Sequence, residues 1–352
     1  MKARFWSYTY QFIRPAGTSR GILHQKPGYF LEVEALGFRG QGECGLLPGL
    51  SIDDRPDYVD ALEQLCAQIQ SLDRAQWSAW AKEGIPAALY TEWEAWPSLV
   101  FALEQALWSW AADQAGRVAK QLFDSPFCRG EAGIPINGLL WMGDHCYQSE
   151  QMEQHLNSGF ECLKMKVGAM DFAQECALLS DMRALGPAEL ELRVDANGAW
   201  TADVALERMK SLALYRLHSI EQPCPAHDRE GLAMLARKGA VPIALDESLI
   251  GVHSADERDR LLDEVQPQYI VLKPSLLGGA KSCEDWILRA EKRDISWWIT
   301  SALEGSVGLS AIAQWASGLE NLQGYQGFGT GSLYQNNLPS STEVRSGALW
   351  MR

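Results

Sequence analysis

The chain has 352 residues, of which 47% are apolar and 22% charged, and a formal net charge of −14. This is the composition of an ordinary globular protein rather than a fibre or a disordered tail, and the acidic balance argues against a nucleic-acid groove, which needs clustered Lys and Arg. No run approaches the roughly 18 apolar residues that cross a bilayer, and the opening "MKARFWSYTYQFIRP" lacks the apolar stretch of a secretion signal, so a cytoplasmic protein with no membrane or nucleic-acid partner is expected.

The first part reads as α+β. Alternating segments near 4–13 and 29–36 predict strands; "GQGECGLLPGLS" is a Gly/Pro-rich connection; "YVDALEQLCAQIQSL" and "SLVFALEQALWSWAADQAG" carry helical periodicity. In the second of these, Trp108 and Trp110 belong to a buried helix face. From Ile134 onward the texture changes to short strand-like runs alternating with amphipathic ones: "IPING", "CLKMKV", "LELRVD", "LHSIEQP", "VPIALDES", "QYIVLKP" and "SWWITSAL". This alternation predicts repeated βα units on a parallel sheet. The polar residues closing these runs, Asn137, Lys164, Asp195, Glu221, Asp246, Lys273 and Ser301, are 27, 31, 26, 25, 27 and 28 residues apart. Such regularity suits a (β/α)7β TIM-like barrel, with an eighth strand near "LQGYQG". An open doubly wound sheet is disfavoured because no Gly-x-Gly-x-x-Gly follows the first strand. The expected division is an N-terminal α+β unit over 1–130, joined by the C-terminal tail at about 327–352, and a barrel over 131–326. Eight cysteines without a C-x-x-C pair support neither a zinc ribbon nor a redox dithiol, so reduced and mostly buried thiols are expected.

In a parallel barrel the C-terminal strand ends open on one mouth and carry the chemistry. Here they supply Lys, Asp, Glu, Asp and Lys. Each has a plainer structural reading: "DANG" is a turn, "DES" a helix cap, and "EQP" a solvated turn before proline. Together, however, Asp195, Glu221 and Asp246 converge on one small volume, where three carboxylates raise one another's pKa unless a cation neutralises them. All-oxygen ligation without a Cys or His triplet favours Mg²⁺, with Mn²⁺ second, over zinc. Lys164 and Lys166 share one face of a strand and Met165 takes the other. Two ammoniums about 6.6 Å apart repel by roughly 2.5 kcal/mol at an effective dielectric of about 20, so one of them is expected to be neutral enough near physiological pH to act as a base.

This constellation resembles the enolase superfamily, in its muconate-lactonising-enzyme-like branch, over nearly the whole chain. The branch's metal ligands match Asp195 in "VDANGAW", Glu221 in "EQP" and Asp246 in "LDES". Its K-x-K matches Lys164 and Lys166, and its sixth-strand lysine matches Lys273 in "LKPSLLGG". The resemblance implies a capping α+β domain over the barrel and a Mg²⁺-dependent site acting on a carbon acid. Three stretches, "RPAGTSRG", "GECGLLPGLS" and "PINGLLWMGD", are similar to the branch's dehydratases that aromatise a cyclohexadiene dicarboxylate. They imply a small dianionic substrate, Lys166 as base, Lys164 tuning it, and Lys273 lending charge to an enediolate or serving as a second acid or base.

Candidate substrate contacts are Asn137, Ser301 and Arg20. Ser301 is either a donor to a carboxylate or a turn hydroxyl, and "GTSRG" either a loop closing over the mouth or a plain connection. "GFGTG" lacks a phosphate-loop lysine and reads as a turn. Two rivals remain: racemisation or epimerisation of N-succinylamino acids or dipeptides on the same lysines, and a non-catalytic barrel that binds a metal or metabolite.

Overall fold

The computed structural model describes residues 1–18, 21–117 and 121–352, with the side chains of 16–18 left aside. It opens with an antiparallel three-stranded sheet, Lys2–Thr18, Gly21–Ala35 and Phe38–Cys44, in that spatial order. The second and third strands turn at Leu36 and Gly37, whose positive φ values of 56° and 86° are those of a two-residue primed hairpin, with Ala35 opposite Phe38.

The helix Pro97–Gln114 lies against this sheet at very short range. A Cβ added at Gly40 or Gly42 would sit 2.0 Å from the Ala106 carbonyl oxygen or 1.9 Å from that of Ala102. Only glycine allows that approach, and the helix is apolar nearly all round because it is covered on several sides. Trp110 is fully buried, its indole N–H bonded to the Ala35 carbonyl, as the helix-face reading expects. With Tyr58–Ser71 and Arg74–Glu83 it encloses a core of Leu31, Val33, Leu62, Leu65, Ile69, Trp77 and Leu103.

A second core belongs to seven parallel strands, Gly138–Leu140, Cys162–Lys166, Glu191–Asp195, Ser219–Glu221, Ile243–Leu245, Tyr269–Leu272 and Ser296–Ile299, hydrogen-bonded in sequence order. Single parallel bridges from Ile136 to Gln326 and from Thr300 to Gly327 join the two edges of this sheet through the "GYQG" segment, where the eighth strand is expected. The sheet is thus curled on itself with helices outside, an α/β barrel. The first barrel strand runs on to Leu140 instead of ending at Asn137, because Gly138 to Leu140 pair with Leu163 to Met165. All eight cysteines are free and six are buried.

After the barrel, Leu333 and Gln335 bond to Ile13 and Gln11 of the first strand. The final hairpin, Thr342–Arg345 and Ala348–Met351, adds to Ile134–Pro135 at the barrel's entry.

Two buried carboxylates of the N-terminal unit end on the amino ends of barrel helices, where unpaired N–H groups and the helix dipole favour negative charge. Glu104 accepts from the Ala280 and Lys281 amides at 2.6 and 3.2 Å, in the first turn of Gly279–Glu291. Glu43 accepts from Gly305 at 2.6 Å and Gly308 at 2.8 Å, at the start of Ser306–Ala316. Helices of a βα barrel begin at the mouth, so these bonds set the first unit over the opening.

Candidate active site

Register builds the site. Lys166 pairs with Asp195 and Asp195 with Glu221 across three adjacent strands, giving a lateral row of base and acids at one level. Lys164 starts one layer lower, beside Arg193. Between the lysines, Met165 faces outward into the barrel's hydrophobic core, as strand alternation requires. The strand lies between two neighbours in the sheet, so the two lysines do not stand on a solvent-facing edge.

The charges interlock. Lys164 Nζ donates to Glu221 Oε2 at 2.5 Å and lies 3.1 Å from Asp195 Oδ2. Lys166 Nζ reaches the same Asp195 oxygen at 3.1 Å and Asn197 Oδ1 at 2.6 Å. Lys273 Nζ, arriving from the sixth strand end, bonds Asp246 Oδ2. Asp195, Glu221 and Asp246 are each 1–2% exposed. The structure therefore gathers all six predicted residues at one mouth, with Asn137 and Ser301 lining the same pocket. Ser301 is buried, and its hydroxyl pairs with that of Thr330 at 2.6 Å. Arg20 lies outside the described residues; its flanks, Thr18 and Gly21, pair across the first hairpin.

Of the two strand lysines, Lys164 is not the depressed one. Burial pushes Lys164 down, but Asp195 and Glu221 beside it more than offset that and hold it above its ordinary value; Lys273 is likewise raised, chiefly by Asp246 against burial. Lysine repels lysine across the strand face, but each ammonium also has a carboxylate in direct contact. Burial would raise Asp195, yet the three lysines hold it well below the usual carboxylate range. Glu221 goes the other way, to about 8, through burial and then the charge of Asp195.

These carboxylates suit a hard divalent cation by donor type. Glu221 Oε1 is buried with no hydrogen-bond donor, an open acceptor such an ion could use. Among the described residues no three acidic, histidine or cysteine side chains already close on one point; the ammoniums of Lys164 and Lys273 stand among the acids.

Two neighbours escaped the sequence reading. Asn197 belongs to the "DANG" turn, with φ of 45°; its amide N–H bonds Asp195 Oδ1 and its side chain links Lys166 to Glu247 Oε1. Gln222, fully buried, accepts from the Asp246 and Ser248 amides and donates to the Cys224 carbonyl and the Ser248 hydroxyl, fixing the fourth strand end to the fifth. The only signal for either was position, directly after a candidate ligand. Beyond Asn137, Leu139 and Trp141 the pocket adjoins a hollow of about 490 Å³.

A barrel closed in this way, with lysines and acids on its successive strand ends, defines a class. The family model described as "Enolase C-terminal domain-like" matches residues 148–351, and the chain belongs to the enolase superfamily, among the o-succinylbenzoate synthases. It is 43% identical to o-succinylbenzoate synthase of Desulfotalea psychrophila over 96% of this chain and 95% of that one. It is 29% identical to o-succinylbenzoate synthase of Thermosynechococcus vestitus over 85% and 83%. The crystal structure of MenC from Desulfotalea psychrophila superposes with a TM-score of 0.87 at 39% identity, covering 99% of each chain. A substrate-liganded L-Ala-D/L-Glu epimerase from Bacillus subtilis shares the fold, with a TM-score of 0.82 at 19% identity over 100% of this chain and 96% of that one.

Proposed function

We propose that this chain is an o-succinylbenzoate synthase, a carbon–oxygen lyase of menaquinone biosynthesis. It removes water from 2-succinyl-6-hydroxy-2,4-cyclohexadiene-1-carboxylate to leave 2-succinylbenzoate. The observation that carries the reading is the lateral row Lys166, Asp195, Glu221, joined to a relative of that name at 43% identity over almost the whole chain.

Lys166 Nζ takes the proton from the ring carbon that bears the carboxylate. The same ammonium then protonates the 6-hydroxyl as its C–O bond breaks, on the same face, and the ring becomes aromatic. Asn197 Oδ1, 2.6 Å from that nitrogen, aims it. Lys273 directly follows the end of the sixth strand, away from the K-x-K strand, and its charge offsets the negative charge that develops on the substrate carboxylate. Lys164 bridges two of the acids and tunes its neighbour.

Asp195, Glu221 and Asp246 would hold Mg²⁺, with Mn²⁺ as the alternative, and the ion would supply Lewis-acid charge to the substrate carboxylate. Asn137 and Ser301 contact the substrate from the pocket wall, and the hollow beyond Asn137 gives the succinyl arm room. Arg20 is proposed to meet its far carboxylate. In the same reading residues 1–130 with 327–352 form the cap, 131–326 the barrel, and the protein works in the cytoplasm. Among the described residues no helix is long and apolar enough to cross a membrane.

The test is ultraviolet detection of the aromatic product from the cyclohexadiene substrate, with and without EDTA. Product that forms only with the divalent ion is expected, and its absence under metal-replete conditions overturns the reading. Because Lys273 comes from a strand well separated from Lys166, one-base and two-base chemistry are both within the site's reach. α-Proton exchange of N-succinylated amino acids in heavy water, without dehydration, would identify a racemase instead.

A further inference from the structure

A second group of buried charges lies outside the reaction site, where the first sheet meets the barrel. Lys26, opposite Tyr10 in the first hairpin, is fully buried, and its ammonium has no hydrogen-bond partner. It sits 5.2 Å from the centre of the Tyr10 ring, whose hydroxyl abuts Gly305, and two fully buried carboxylates, Glu43 and Glu304, both abut Gly308 one helical turn on, within electrostatic reach of the ammonium. An ammonium buried without a partner is costly, and such a group persists only where neighbouring charge compensates it. Burial accordingly depresses Lys26 while the two carboxylates oppose the shift.

Each carboxylate holds a different piece of the mouth. Glu43 binds the Gly305 amide, the last of the segment 301–305, and the Gly308 amide just beyond it. Glu304 accepts from the Ala302 amide at 2.6 Å and from the Ser275 hydroxyl. It also abuts the other lip, since a Cβ added at Gly45 would fall 2.9 Å from its Oε1. Between these anchors Leu303 is forced to φ of 63°, a left-handed conformation rare for leucine, with its carbonyl bound by the Tyr334 hydroxyl at 2.6 Å. Both segments face the reaction: Leu47 and Leu50 from one, and Ser301, Ala302 and Leu303 from the other, line the pocket.

We propose that Lys26, Glu43 and Glu304 form a buried electrostatic strut, with Lys26 as a positioning residue that sets the two pocket-lining segments, 45–51 and 301–305, against each other. One ammonium offsets the charge of both carboxylates from a distance, so removing it leaves them repelling across the junction, and the lips part. The KM consequence rests on the dehydratase reading above; the conformational consequence does not.

The experiment compares wild type with Lys26→Met and Lys26→Arg by amide hydrogen exchange and by steady-state dehydration. Lys26→Met is expected to speed exchange about tenfold in 45–51 and 301–305 alone, and to raise KM about tenfold with kcat within about threefold. Lys26→Arg restores both. Exchange that is unchanged at those segments, or that rises evenly over the chain as a general loss of stability would make it, overturns the proposal. Should Lys26→Met fail to fold, Glu304→Gln removes one of the repelling charges at nearly constant shape. It is expected to alter exchange in the same two segments, and no local change there overturns the strut. A wild type without dehydratase activity sinks the functional reading, and the exchange comparison still judges the strut.

Discussion

The barrel mouth and the junction above it both bury charge, and they hold it differently. At the junction, Glu43 and Glu104 face backbone amides of helix ends, donors that cannot rotate away. At the mouth, Asp195, Glu221 and Asp246 face lysine ammoniums on flexible stems, and one Asp195 oxygen serves two lysines. A carboxylate pinned by the main chain is a fixture. One balanced against side chains can change partner when a cation or a substrate carboxylate arrives, as the proposed chemistry requires. Reactive and structural charge are distinguished here by what faces them rather than by burial, which is nearly complete in both places.

Four experiments probe that contrast. The largest effect is expected from Lys166→Ala, which removes the proposed base and acid together; the dehydration rate should fall about 10⁴-fold, the upper end of a positioned general base, with folding intact. A smaller but still large loss, at least about 100-fold, is expected from Glu221→Gln or from EDTA, with Mg²⁺ restoring only the chelated wild type. Ser301→Ala breaks the 2.6 Å bond to Thr330; about 1 kcal/mol, read as a roughly fivefold rise in KM, is expected.

The smallest effect concerns the fixtures. Asp53 is a third fixture, accepting from the Ser98 amide and hydroxyl in the first turn of Pro97–Gln114; burial raises it to about 6 and Glu104 to about 7. Both hold their protons more tightly folded than unfolded, so stability is fully present below about pH 4 and declines as pH rises through 6 and 7. Melting temperatures measured across that window should fall toward neutral pH, and Glu104→Gln should flatten the decline. A flat wild-type profile would remove the distinction between the two kinds of carboxylate.

Much of the barrel was legible because its cause is local. Polar residues at intervals of 25 to 31 fall at the strand ends or within three residues of them, and alternation alone places Lys164 and Lys166 inside with Met165 outside. The lysine pKa directions were not legible. They depend on Asp195 and Glu221 lying within 3.1 Å of Lys164 Nζ, a fact of register between strands 26 or more residues apart. Gln222 was hidden for the same reason, as its partners at 246 and 248 come from the next strand end. Asn137 shows the limit of treating a polar residue as the end of a run, since pairing continues to Leu140. Lys26 carried no signal at all, one lysine in a hairpin, until the barrel closed over it.

The helix ends taken by Glu43 and Glu104 have a consequence for ligand choice. In many barrels the amino ends of late helices are where a phosphoryl group docks. Here the protein's own acids already occupy those ends at the starts of Ser306–Ala316 and Gly279–Glu291. An incoming anion therefore meets the ammonium groups of the mouth instead of the peptide dipoles of these two helices.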